Sequence, residues 1–325
     1  MNLSIGKWRG LAQCSTERGV FANLALDHRD SLRRALQPDK PQNVPFHVMT
    51  DFKRELVSFI APESSAVLLD PEIGIASSIC SNALPGQVGL LVALESTGYE
   101  GKKSARRSEI LPSWDVGKIK RIGASGVKLL VYYHPDAPTA ESQEVLVAEV
   151  AKACVRFDIP FFLEPLSYSL GPEDGRVPSG KRKDVVLETA HRLSALGIDV
   201  LKAEFPVDVF VEEDETAWFE ACSALTEASS APWVLLSAAV DFEIFIRQVQ
   251  VACRAGASGV LAGRAVWKEA AGMDGQERQD FLRTVAVDRM RRLTEICNEV
   301  GRPWWDVHHP VELQEGWYRS YTSLG

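Results

Sequence analysis

Ile198-Asp-Val-Leu-Lys202-Ala-Glu-Phe-Pro206 is the stretch on which both fold and chemistry turn. It reads as a buried strand: apolar, β-branched in part, and stopped by Pro206. Lys202 sits in its middle. An ammonium there costs several kcal/mol of desolvation unless it is paired or loses its proton. Two uses fit the residue. One is an amine of lowered pKa that attacks a carbonyl and forms a Schiff base. The other is a buried ion pair, Lys202 with Glu204 or with Glu164, that holds the sheet together. The strand alone leaves both open.

Working outward, the same kind of segment recurs. Val20–His28, Ser65–Asp70, Gly89–Glu95, Gly126–Tyr133, Ile159–Leu166, Ile198–Phe205, Trp233–Val240 and Ala257–Gly263 are short and nearly continuously apolar. That suits parallel strands buried on both faces. Amphipathic stretches lie between them. Thr50 or Asp51 caps one running from Phe52 to Ile60, and Thr139 caps another through Val155. Arg182–Leu196 ends at Gly197, Asp241–Ala255 ends at Gly256, and Glu277–Val300 ends at Gly301. Glu215–Thr226 is a further one. Strand and helix alternating about eight times predict an α/β fold, a (β/α)8 TIM barrel. It forms a single domain over residues 1–325, with 302–325 as a C-terminal extension. A doubly wound sheet is the alternative. Against it, Leu26-Asp-His-Arg-Asp30 follows the first strand where a glycine-rich dinucleotide loop would stand.

The chain has 325 residues, 46% hydrophobic, and a net charge of −8. The acidic balance argues against nucleic acid or an anionic membrane as partner. No run approaches the roughly 18 apolar residues of a membrane span. The first residues lack a signal-peptide pattern, so a cytoplasmic protein is expected. Six scattered cysteines without CxxC spacing read as reduced thiols. Two polar loops, Ser96–Asp115 and Ser167–Lys181, stand out after the third and fifth strands. Lys102, Lys103, Arg106 and Arg107 in one, with Arg176, Lys181, Arg182 and Lys183 in or just beyond the other, suggest an anionic substrate over the barrel mouth. The tail, with Trp304-Trp305, His308-His309 and Trp317-Tyr318, is expected beneath the barrel or in a subunit interface. Adjacent histidines on extended chain point apart, which disfavours a metal site there.

Barrel enzymes carry their chemistry at the C-terminal ends of the strands. Here those ends hold Asp27, His28 and Arg29; Asp70 and Glu72; Glu95; Lys128 and His134; Glu164; Lys202 and Glu204; Ser237; Gly263 and Arg264. Two inward lysines raise the cost of protonating each other, so one would be neutral near pH 7. Lys202 is the preferred nucleophile. Lys128 is its neighbour, lowering its pKa or binding a substrate hydroxyl, or else it is paired with Glu95 or Glu164. Glu164, after Pro160-Phe-Phe-Leu163, is expected to have a raised pKa suited to moving protons. Asp27 would orient substrate or stabilise an iminium. Ser237, Gly263 and Arg264 follow the last two strands, whose loops commonly hold phosphate in this fold. A metal-dependent aldolase or isomerase using His28, Asp70, Glu72 and His134, and a catalytically silent sugar-phosphate sensor, are the rival classes.

Leu26-Asp-His-Arg29, Leu69-Asp-Pro-Glu-Ile-Gly74, Gly126-Val-Lys128, Phe161-Phe-Leu-Glu164, Asp199-Val-Leu-Lys-Ala-Glu204, Leu236-Ser237 and Gly263-Arg264 together resemble class I tagatose 1,6-bisphosphate aldolases and the related sulfofructose-phosphate aldolases. The resemblance implies Lys202 as Schiff-base lysine, Glu164 as acid/base, and Asp27 and Lys128 in the active site. It implies Ser237, Gly263 and Arg264 at the C1 phosphate and Arg29 near the far anionic group. It also implies no metal, no cofactor, and a homo-oligomer. The implied substrate is a ketose 1,6-bisphosphate, tagatose 1,6-bisphosphate foremost, with 6-deoxy-6-sulfofructose 1-phosphate as the alternative. Two positions depart from the pattern: Ala239 and Asp30 stand where relatives often have glycine. Asp30 beside Arg29 bears on the C6 end of the substrate.

Overall fold

The computed structural model describes residues 2–171, 175–238, 240–319 and 321. Eight parallel strands close into a barrel. They are β1 (Phe21–Leu26), β2 (Ala66–Leu69), β3 (Gly89–Ala93), β4 (Gly126–Tyr132), β5 (Phe161–Leu166), β6 (Val200–Ala203), β7 (Trp233–Leu236) and β8 (Gly259–Ala262). Each pairs in parallel with the next, and β8 pairs back onto β1 from Gly259↔Phe21 to Ala262↔Leu24. A closed ring has no edge strand, so the doubly wound sheet is set aside.

The continuous apolar runs have a simple cause, because both faces of each strand are buried. One set of side chains, including Phe21, Ala25, Leu68, Leu91, Phe162, Val200, Val234 and Leu261, fills the barrel. The alternate set, including Leu24, Val67, Val92, Leu163, Leu201 and Val260, packs under the surrounding helices. The β8–β1 seam is tight. A Cβ on Gly259 would stand 2.0 Å from the Phe21 carbonyl oxygen, and φ there is +126°, a region open to glycine.

The floor of the barrel is a helix that the periodicity did not reveal, Ile5–Cys14. Its Lys7 Nζ lies 2.8 Å from Asp199 Oδ2, and that oxygen also accepts the Phe161 N–H. The C-terminal tail lies beneath. His309–Pro310 pairs in parallel with Asn2–Leu3, Trp304 packs edge-on against Trp8, and the His308 ring meets the Asp199 carbonyl at 2.7 Å. The tail therefore seals the barrel bottom, one of the two places expected for it.

Several helix ends differ from the sequence reading. The helix expected from Phe52 spans Phe46–Ile60 with Pro45 at its N-cap. Its first turn exposes Phe46 and Val48, which breaks the apolar stripe. Thr139 occupies an N-cap position, but its hydroxyl meets the Tyr168 phenol instead of the helix. The last long segment is interrupted by a π-helical turn, Leu282–Ala286, before Val287–Val300. The loop after β3 contains an antiparallel hairpin, Glu100–Lys102 with Ala105–Arg107.

Candidate active site

Strand alternation aims the polar residues. Asp27 stands two residues beyond inward-facing Ala25, Glu164 two beyond Phe162, Lys202 two beyond Val200, and Gly263 two beyond Leu261. All four line one cavity of about 550 Å³ at the C-terminal ends of the strands, with Glu95, Arg29, Arg34, Ser237 and Arg264. Lys128 is fully buried behind them.

Lys128 is the hub of the cluster. Its Nζ lies 2.6 Å from Asp27 Oδ2, 2.7 Å from Glu95 Oε1 and 2.8 Å from Glu164 Oε2. Glu95 Oε2 in turn accepts the Leu130 N–H at 3.0 Å. Lys202 has one carboxylate neighbour, Glu164 Oε1 at 2.8 Å. Glu204 is not its partner. Beyond the end of β6, Glu204 turns outward and accepts the Ser167 N–H and hydroxyl, with Arg182 at 3.3 Å.

The electrostatics decide between the readings of Lys128 and correct the one for Glu164. Burial would lower the Lys128 pKa, but Asp27, Glu164 and Glu95 outweigh it and hold this amine well above the usual lysine range. Lys128 is therefore a fixed cation, paired with Glu95 and Glu164 as one of the readings of its strand position had it. Burial alone would raise Glu164 as expected; Lys128 and Lys202 reverse that and hold it below the usual carboxylate range. The apolar residues before Glu164 were a true signal of burial, but two cations from other strands decide the sign. Asp27 is likewise held low, since Lys128 and Lys202 overcome its burial.

At the β7–β8 side, the Gly263 N–H donates to Ser237 Oγ at 3.2 Å, so both proposed phosphate contacts are already joined. A Cβ at Gly263 would press within 3.0 Å of His28 Cε1. Arg264 and Arg34 have no ion-pair partner among the described residues. Burial, with Arg176 and Arg34 close by, lowers the pKa of Arg264, and such crowding of guanidiniums favours an anion among them. Ala238, in the cavity lining, has a left-handed φ of +39°. Ala239 lies outside the described residues.

Arg29 also lines the cavity, but both ends of its guanidinium are engaged. Nη1 donates to Glu72 Oε2 and Nη2 to the Glu95 carbonyl, each at 2.7 Å. Of the basic loop residues, Lys102, Lys103 and Arg107 are exposed, Arg106 is buried among tyrosines and Arg182 serves Glu204, whereas Arg176 stands close to Arg264. The cations that line the mouth are Arg34 and Arg264, with Arg176 near the latter. Arg34 was legible only as part of Arg33-Arg34 after the first strand.

His28 packs edge-on against Trp267, with Nδ1 3.9 Å from Asp27 Oδ1. Burial, aided by the charges of Arg264, Lys202 and Lys53, pushes its pKa down to about 3 against the pull of Asp27. The residues of the metal-dependent alternative do not converge. Asp70 is paired with buried Lys53 and accepts the Ile73 N–H, Glu72 holds Arg29, and His134 accepts the Asp136 N–H. Among the described residues no three His, Cys, Asp or Glu side chains are placed to share a metal ion.

A family model described as DeoC/LacD family aldolase matches residues 21–269, which is the barrel. The chain belongs to that aldolase family. This family member is 34% identical to the tagatose 1,6-diphosphate aldolase of Listeria monocytogenes strain HCC23 over 97% of its own length and 100% of the relative. It is 32% identical to that of Streptococcus agalactiae strain 2603 V/R, with 94% and 99% covered. Among solved structures, an archaeal fructose 1,6-bisphosphate aldolase superposes with a TM-score of 0.59 at 21% identity, covering 89% of this chain and 98% of that one. A Plasmodium falciparum fructose-bisphosphate aldolase gives 0.72 at 12% identity, covering 93% and 98%. At such identities the structures speak for the barrel. Among the described residues of this aldolase-family chain, no helix is long and apolar enough to cross a membrane.

Proposed function

We propose that the chain is a metal-independent class I aldolase that reversibly cleaves tagatose 1,6-bisphosphate to dihydroxyacetone phosphate and glyceraldehyde 3-phosphate. One observation carries the reading: of the two lysines in the cluster, only Lys202 faces the cavity, and it has a single carboxylate beside it. Lys128, under three carboxylates and fully buried, cannot reach a substrate carbonyl. The names of the full-length relatives support the substrate.

In the cleavage direction the Lys202 amine attacks C2 of the ketose. Proton transfers through Glu164 let the carbinolamine lose water and become an iminium. Removal of the C4 hydroxyl proton forms the new carbonyl and breaks the C3–C4 bond, releasing glyceraldehyde 3-phosphate. The bonding pair enters the iminium to give an enamine. Protonation at C3 and hydrolysis then release dihydroxyacetone phosphate and free Lys202. Lys128 keeps Glu164 and Asp27 ionised and in place, as a fixed positive charge near the developing ones. Ser237, Gly263 and Arg264, with Arg34 close by, hold the C1 phosphate, and Arg29, whose guanidinium reaches the Glu95 carbonyl just beyond β3, stands near the far anion. The enzyme would act in the cytoplasm as a homo-oligomer, which sedimentation would test.

The test is borohydride trapping with dihydroxyacetone phosphate, read by intact mass and peptide mapping. An adduct on Lys202 is expected. No adduct, or one on Lys128, would overturn the assignment. Parallel assays with tagatose 1,6-bisphosphate and 6-deoxy-6-sulfofructose 1-phosphate identify the far group; faster turnover of the latter would replace the phosphate reading.

A further inference from the structure

We infer that Arg106 is a positioning residue that shapes the cavity wall receiving the far, aldehyde-derived half of the sugar. This rests on the aldolase reading for which atoms lie where, and deepens it.

The barrel order fixes the directions. In a ring of eight, β3 lies opposite β7 and β4 opposite β8. Ser237, Gly263 and Arg264 extend β7 and β8, and Lys202 is on neighbouring β6. A ketose anchored by phosphate there and by C2 at Lys202 must extend toward β3 and β4. The wall it meets is Tyr99, in the loop after β3, and Tyr132, at the end of β4; both line the cavity. Among the described residues neither phenol hydroxyl has a hydrogen-bond partner, so both are available to sugar hydroxyls.

Arg106 holds that wall. Its guanidinium carbon lies 4.6 Å from the Tyr99 ring centre, 5.5 Å from Tyr132 and 4.7 Å from Tyr168. Tyr99 and Tyr132 meet edge-on at 5.1 Å. The Arg106 N–H donates to the Tyr168 phenol at 3.3 Å and Nε donates to the Lys103 carbonyl at 3.0 Å. Ser108 ties the next residues to Gln143 and to the Tyr132 N–H. Arg106 is buried while Lys102, Lys103 and Arg107 of the same hairpin are exposed. A planar guanidinium fits several aromatic faces at once in a way an ammonium does not. The hairpin is thus fastened across the mouth by Arg106 together with Ser108, and the two wall tyrosines pack against the Arg106 guanidinium.

The experiment separates the two halves of the substrate. Arg106→Met keeps the aliphatic bulk and removes the planar charge. Expected is a rise of roughly tenfold in KM for the whole ketose bisphosphate, the equivalent of a desolvated cation–π contact, with a smaller change in kcat. Half-saturation of borohydride trapping by dihydroxyacetone phosphate, which fills only the near half, should stay within about twofold of the unaltered enzyme, and Arg106→Lys should fall between. Should Arg106→Met fold poorly, Tyr99→Leu on the half-exposed loop should give the same split. Unchanged KM for the ketose in both variants, or an equal loss in KM and in trapping, would overturn the inference. If the unaltered protein traps no dihydroxyacetone phosphate at all, the Schiff-base reading itself falls, and this one with it.

Discussion

Lys202 Nζ lies 2.8 Å from Glu164 Oε1, while the other oxygen of the same carboxylate faces Lys128. One carboxylate thus stands between a cation that cannot leave and an amine that faces the cavity. The ion pair and the arrangement proposed for catalysis, which the strand sequence left as alternatives, involve the same two residues. Lys202→Ala should abolish imine formation and turnover while the barrel still folds. Near-normal turnover by this variant, measured in a coupled assay, would end the mechanism.

Glu164→Gln keeps the shape but removes the proton acceptor. Some imine should still be trapped, while cleavage slows by about 10²–10⁴-fold, the usual worth of a positioned acid/base. Rapid single-turnover kinetics separate the two steps. Cleavage at the normal rate would remove Glu164 from the proton path.

His28 should contribute to the acid limb of stability, alongside His308 and His134, whose pKa values burial also lowers. The His28 pKa is about 3 in the fold against 6.5 for the ordinary residue. Between those values the unfolded chain binds the proton that the folded chain refuses, so stability falls as pH falls, by up to about 1.4 kcal/mol per unit. Asp27 and Glu164 have depressed pKa values. Their contribution is present above the ordinary carboxylate range and is lost only below it. Urea titrations from pH 7 to 4 should therefore show a slope that His28→Asn reduces; an unchanged slope would place the titrating group elsewhere.

At the floor, Lys7→Met leaves the Asp199 carboxylate buried without its cation. Stability should drop by about 3–5 kcal/mol, the usual cost of breaking a buried pair. The catalytic constants at low temperature should hold, because the floor lies at the opposite end of the barrel from the cavity. A selective loss of kcat without loss of stability would show that the floor communicates with the site.

The sequence by itself determined the eight strands and the residues at their ends. Parallel strands buried on both faces must be almost wholly apolar, so Lys128, Glu164 and Lys202 were conspicuous against that background. Periodicity is a local signal, and it could not show what depends on closure of the ring. Glu95 and Asp27 come from strands far apart in sequence, yet meet on Lys128 and set the charge of the whole cluster. For the same reason the strand of Glu164 by itself predicts the wrong direction for its pKa. Nor could spacing reveal that the hairpin cation Arg106 is caged by Tyr99, Tyr132 and Tyr168, or that Arg29 is engaged by Glu72 and the Glu95 carbonyl. Those outcomes were decided by the tertiary structure, because electrostatic and cation–π energies depend on distance through space, and only the closed barrel brings these groups within a few ångströms of one another.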